Sequence, residues 1–97
     1  MTDTPEPLFE KKSDVECNEL PDGYVIYDRQ RDKVHFLNFT AAALYELCDG
    51  TNTVSAMVEI LREAFELPGS PRAEVEACLS ELRSEELILQ SNRVTAD

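Results

Sequence analysis

Alternating apolar and polar positions mark the first forty residues of the chain, and a helical period replaces them afterwards. Tyr24, Val25, Ile26 and Tyr27 form a β-branched and aromatic run, and Lys33, Val34, His35, Phe36 and Leu37 form a second. Both predict strands. The charged stretch 28–32 between them, with Arg29 and Arg31, predicts the connection of a β-hairpin. Upstream, Val15, Glu16, Cys17 and Asn18 alternate more weakly and predict a preceding strand within 13–20. Pro21, Asp22 and Gly23 predict a turn, because proline presets φ and glycine admits positive φ.

The period changes just after Leu37. Asn38 is the predicted N-cap of a first helix over 39–48, with Ala42, Ala43, Leu44 and Leu47 as core positions. Gly50 is the predicted left-handed residue after that helix. Thr53 is the next predicted N-cap. Behind it Val54, Met57, Val58, Leu61 and Phe65 fall on one helical stripe, which Pro68 and Gly69 stop near Leu67. Ser70 as N-cap and Pro71 at the first helical position open a third helix. Its stripe is Val75, Cys78, Leu79 and Leu82. Leu87, Ile88 and Leu89 then form either a last helical turn or a short wing-like strand.

Strands followed by helices predict an α+β fold. The expected architecture is winged helix-turn-helix-like: a three-stranded antiparallel sheet followed by three α-helices, in a domain over 13–90. Residues 1–12 are expected to be a flexible lead-in, with Leu8 and Phe9 able to dock, and residues 91–97 a frayed tail.

Composition narrows the function. A chain of 97 residues allows one domain with a modest core, too small for a large enclosed active site. The formal net charge of −11 argues against nucleic-acid binding, which needs clustered Lys and Arg. Cys17, Cys48 and Cys78 are odd in number and widely spaced, so a disulfide framework is not expected and a reducing cytoplasm is. No apolar run reaches membrane-spanning length.

Candidate chemistry is sparse. Cys48 and Cys78 lie on apolar helical stripes and read as small core hydrophobes, and Cys17, on a weak strand, reads as plainly structural. His35 is the single histidine and lacks partners at metal-ligand spacing, so no metal is expected. It reads as exposed on a strand face, with contact to a docked peptide as the functional alternative. Glu74, Glu76, Glu81, Glu85 and Glu86 crowd the third helix and its end as a solvated face, partly offset by Arg72 and Arg83. The three glycines are scattered and make no phosphate loop. Neither catalysis nor a cofactor is expected. What remains is a binding module in which an open edge at residues 33–37 accepts an extended peptide as an added strand.

The stretch Leu37, Asn38, Thr40, Ala41, with Leu47, Cys48, Asp49, Gly50 and then Thr53, Val54, resembles the PqqD family of peptide chaperones, the RiPP recognition elements. Val75, Leu79, Leu82, Leu87 and Ile88 extend the resemblance to about two thirds of the chain. It implies a non-catalytic protein that binds the leader segment of a ribosomally made precursor beside the third strand and against the third helix. The peptide is then presented to a modifying enzyme, often a radical S-adenosylmethionine protein. Carried over by position, the peptide-binding residues are Lys33, Val34, His35, Phe36, Leu37, Val75, Leu79 and Arg83. Glu86 stands where the family commonly has Gly, and residues 24–29 lack the run expected in the pyrroloquinoline quinone pathway. The resemblance therefore implies a PqqD-like protein with a product of its own. A winged-helix DNA-binding regulator and an adaptor subunit of a larger enzyme are the alternatives. The protein is expected to be a monomer or a weak homodimer through its strand edge.

Overall fold

A computed structural model of the protein describes residues 8–91. Two three-stranded antiparallel sheets accompany three helices. One sheet joins β2 (Val15–Leu20), β3 (Gly23–Asp28) and β4 (Lys33–Asn38) in that order. The other has β1 (Leu8–Lys11) at its centre, between β5 (Asp49–Thr53) and β6 (Ile88–Ser91). The helices are α1 (Phe39–Leu47), α2 (Val54–Ala64) and α3 (Arg72–Ser84). The expected α+β, winged-helix-like fold is observed, with the β1-centred sheet as an addition.

The two hairpins of the β2–β3–β4 sheet follow the alternation closely. Ile26 lies opposite both Cys17 and His35, and Tyr24 opposite both Glu19 and Leu37. Gly23 opposes Asn38 at the end of this ladder. A Cβ there would collide with the Leu37 carbonyl oxygen, so close approach rather than turn geometry requires glycine.

Two strands depart from the pattern. Leu8–Lys11 belongs to the stretch expected as a lead-in, yet it is the central strand of a sheet, with Phe9 buried. Its partners β5 and β6 come from distant parts of the chain, which local alternation cannot reveal. Two cations fasten it: Lys11 Nζ lies 2.8 Å from Glu46 Oε1, and Lys12 Nζ 3.1 Å from Asp28 Oδ2. Gly50 does not cap α1. The helix reaches its C-cap at Cys48, and Gly50, left-handed as expected at φ 84°, lies two residues beyond it within β5. Residues 1–7 and 92–97, most of the expected lead-in and tail, lie outside the described residues.

Helix starts follow the sequence well. Asn38 accepts from the Ala41 N–H at 2.8 Å, and Thr53 Oγ1 from the Ala56 N–H at 3.1 Å. At α3 the cap shifts by one: Pro71 is the N-cap, without a side-chain cap bond, while Ser70 Oγ accepts from the Arg72 N–H at 3.3 Å. α2 ends at Ala64 rather than near Leu67. Glu66 there turns left-handed at φ 51°, and the Leu67 N–H reaches back to the Arg62 carbonyl at 2.9 Å.

α3 ends in the same motif. Glu86 adopts φ 60°, its N–H donates to the Arg83 carbonyl, and the Leu87 N–H donates to the Leu82 carbonyl, both at 2.9 Å. The reversal returns Leu87 and Ile88 to the core and starts β6, so the last apolar run is a strand and not a helical turn. Those two side chains close a core with Ile26, Leu37, Leu44, Tyr45, Met57, Val58, Leu61, Val75, Leu79 and Leu82.

Candidate functional site

Period-two geometry divides β4 between two faces. Leu37 is buried and His35 half-buried toward the helices, whereas Val34 and Phe36 stand 67% and 58% exposed on the opposite face. β4 pairs with β3 on one side, and among the described residues no strand pairs with its other side. That edge therefore offers backbone N–H and C=O groups to an incoming strand.

Beside this edge runs a groove of about 370 Å³. Residues 34–38 of β4 form one wall, and Ala41 at the start of α1 closes part of it. The opposite wall is Cys78, Glu81, Leu82 and Glu85, from α3 and its C-cap, with Leu87 just beyond. Strand and helix line the groove over similar lengths, four strand steps against seven helical ones, about 13 Å and 11 Å. His35 spans the two walls, its Nδ1 3.4 Å from Glu85 Oε1. Its Nε2 is buried without a hydrogen-bond partner. The reading of His35 as an exposed strand residue is thus corrected: its face of β4 packs toward α3.

Of the residues expected to bind, Val34, His35, Phe36 and Leu37 line this groove, and Lys33 stands exposed at the start of the strand. Val75, Leu79 and Arg83 do not line it. Val75 and Leu79 are core residues. Leu79 and Arg83 border a separate cavity of about 410 Å³ with Phe9 and Val54. Val75 borders a third, of about 420 Å³, with Leu61 and Phe65. Facing β4 instead are Cys78, Glu81, Leu82 and Glu85. Their signal in the sequence is helical spacing, with Cys78–Leu82 and Glu81–Glu85 each four residues apart on adjoining rows.

The chemistry of the groove suits binding. The Cys78 thiol is pushed up by burial and by the neighbouring Glu81 carboxylate, so it stays protonated at neutral pH and is a weak nucleophile. Among the described residues no three His, Cys, Asp or Glu side chains gather as metal ligands. No helix there is long and apolar enough to cross a membrane.

Fold and groove together define a class: a small winged-helix-like α+β domain with an open strand edge alongside a helix. The family model described as coenzyme PQQ synthesis protein D (PqqD) matches residues 23–88, which span β3 to the start of β6. The chain belongs to the PqqD family. No curated protein matches it significantly. Among solved structures it resembles TbiB1 in complex with the TbiA(beta) leader peptide, at 17% identity and a TM-score of 0.65, covering 91% of this chain and 99% of that one. It also resembles the heterocyclase TruD, at 15% identity and a TM-score of 0.66. A heterocyclase in complex with substrate and cofactor matches at 16% and 0.64. The two heterocyclase matches each cover 93% of this chain but only 12% and 11% of those much longer chains.

Proposed function

We propose that the protein is a RiPP recognition element that binds the leader segment of a ribosomally made precursor peptide as an added strand along β4. The observation that carries this reading is the unpaired β4 edge beside a groove walled by α3. Backbone pairing supplies affinity in such a mode, and pockets for alternate side chains supply selectivity. Membership of the PqqD family supports it, as does the likeness to TbiB1, whose structure holds a leader peptide.

The bound peptide is presented to a separate modifying enzyme, with a radical S-adenosylmethionine protein as the first candidate. In this reading the chain binds the peptide without modifying it and acts as a chaperone in the cytoplasm. Lys33, Val34, His35, Phe36 and Leu37 form its strand platform. On α3 the proposal moves from Val75, Leu79 and Arg83 to Cys78, Glu81, Leu82 and Glu85, because these face β4.

Fluorescence polarisation tests the reading. Labelled leaders from short open reading frames beside the gene are titrated with the folded protein. Saturable binding by one of them supports the proposal, and no binding by any of them refutes it.

A further inference from the structure

We infer that the β4–α3 groove selects a cationic leader, one that places Lys or Arg toward α3 at positions i and i+2, with an apolar anchor at the next groove-facing position. This deepens the peptide-binding reading and rests on it.

The lining of the groove contains two carboxylates, Glu81 and Glu85, and no Lys or Arg. They are one turn apart on the same row, a like-charge arrangement that is unfavourable until a cation relieves it. Among the described residues Glu81 has no ion-pair partner, and Glu85 meets only the His35 ring. The nearby arginines are engaged elsewhere: Arg31 Nη2 lies 2.7 Å from Glu86 Oε1, and Arg83 borders the cavity on the other flank of α3. Lys33 lies outside the lining. The remaining lining includes Leu37, Ala41, Cys78, Leu82 and Leu87, an apolar floor.

An added strand sends every second side chain toward α3, with a repeat of about 6.7 Å. One turn of α3 advances about 5.4 Å. Residues i and i+2 of the peptide can therefore reach Glu85 and Glu81, while a neighbouring groove-facing residue fills the apolar floor. An acidic peptide would bring like charges together along this wall, a repulsion that is strongest at low salt.

A selection from a random twelve-residue peptide library displayed on messenger RNA, with the full chain immobilised, tests this. The expected winners carry Lys or Arg at i and i+2 and an apolar residue two positions before or after that pair. Replacing the Lys of a winner by Gln should weaken binding about tenfold at low salt, a loss of about 1.4 kcal/mol. The Glu81→Gln/Glu85→Gln protein, changed only at exposed positions, should bind both versions equally. Winners that are neutral or acidic at those positions, or equal binding of the Lys and Gln versions by the original protein, would overturn the inference and leave the peptide-binding reading standing. No enrichment over bare matrix by the folded protein would overturn both.

Discussion

His35 Nδ1 lies 3.4 Å from Glu85 Oε1, so the open-edged strand and the end of α3 touch across the groove between them. This contact fixes which flank of α3 a peptide on β4 would meet. It is the flank of Cys78, Glu81 and Glu85, whereas Leu79 and Val75 border cavities on other sides of α3.

Filling the groove should abolish binding without unfolding the domain. Cys78 is only half-buried, and Cys78→Trp places an indole where a leader side chain would sit. We expect affinity for a leader peptide to fall at least about thirtyfold, about 2 kcal/mol. Polarisation measures the loss, and circular dichroism checks that helix content is unchanged. Arg83→Ala, on the other flank of α3, should leave affinity within about twofold, below about 0.5 kcal/mol.

Thiol reactivity should report occupancy. Cys17 is exposed, Cys78 half-buried, and Cys48 buried with its thiol pushed up to about 12, mainly by burial. Alkylation followed by mass spectrometry should therefore modify Cys17 first, Cys78 more slowly and Cys48 last. A bound leader should protect Cys78 and leave Cys17 unprotected.

Glu86 offers a simple stabilisation. It holds φ 60° at the end of α3, a region that costs a side-chain-bearing residue about 1–2 kcal/mol. Glu86→Gly removes that cost but also the exposed pair with Arg31. The net expectation is a gain of about 0.5–1 kcal/mol in urea unfolding. Gly23→Ala should do the reverse. Its Cβ would strike the Leu37 carbonyl oxygen, and the strand shift should cost about 1–3 kcal/mol.

Acid should loosen the attachment of β1. Burial raises the Asp28 carboxyl, but hydrogen bonds from Lys12 Nζ and from the Arg31 and Gln30 N–H groups outweigh it, and the net shift is downward from 3.8. A carboxyl lowered on folding contributes stability that is fully present above its unfolded value and is lost as pH falls through the folded value. Unfolding scans below pH 4 should therefore show a loss of stability that is smaller in Asp28→Asn.

The hairpin of β3 and β4 and the starts of α1 and α2 were legible in the sequence, because period-two runs and the capping residues Asn38 and Thr53 act locally. β1 and β5 were not, since strands of four and five residues gain their meaning from distant partners. Lys12 and Asp28 likewise show no link in sequence, though their ion pair ties β1 to β3. Glu86 in place of a family glycine obscured the end of α3, yet it takes the left-handed conformation itself. The flank of α3 was the least legible feature. Val75, Cys78, Leu79 and Leu82 are all apolar, so periodicity identifies the stripe but not which margin of it is left open by the core.

The most direct test of the account is hydrogen–deuterium exchange of the protein with and without a bound leader peptide. A peptide added to β4 should slow exchange of the outward-facing amides within 33–38, while the opposite sheet edge, Val15–Leu20, exchanges as before. Protection confined to β2 or to the β1-centred sheet, with β4 unchanged at saturating peptide, would contradict it.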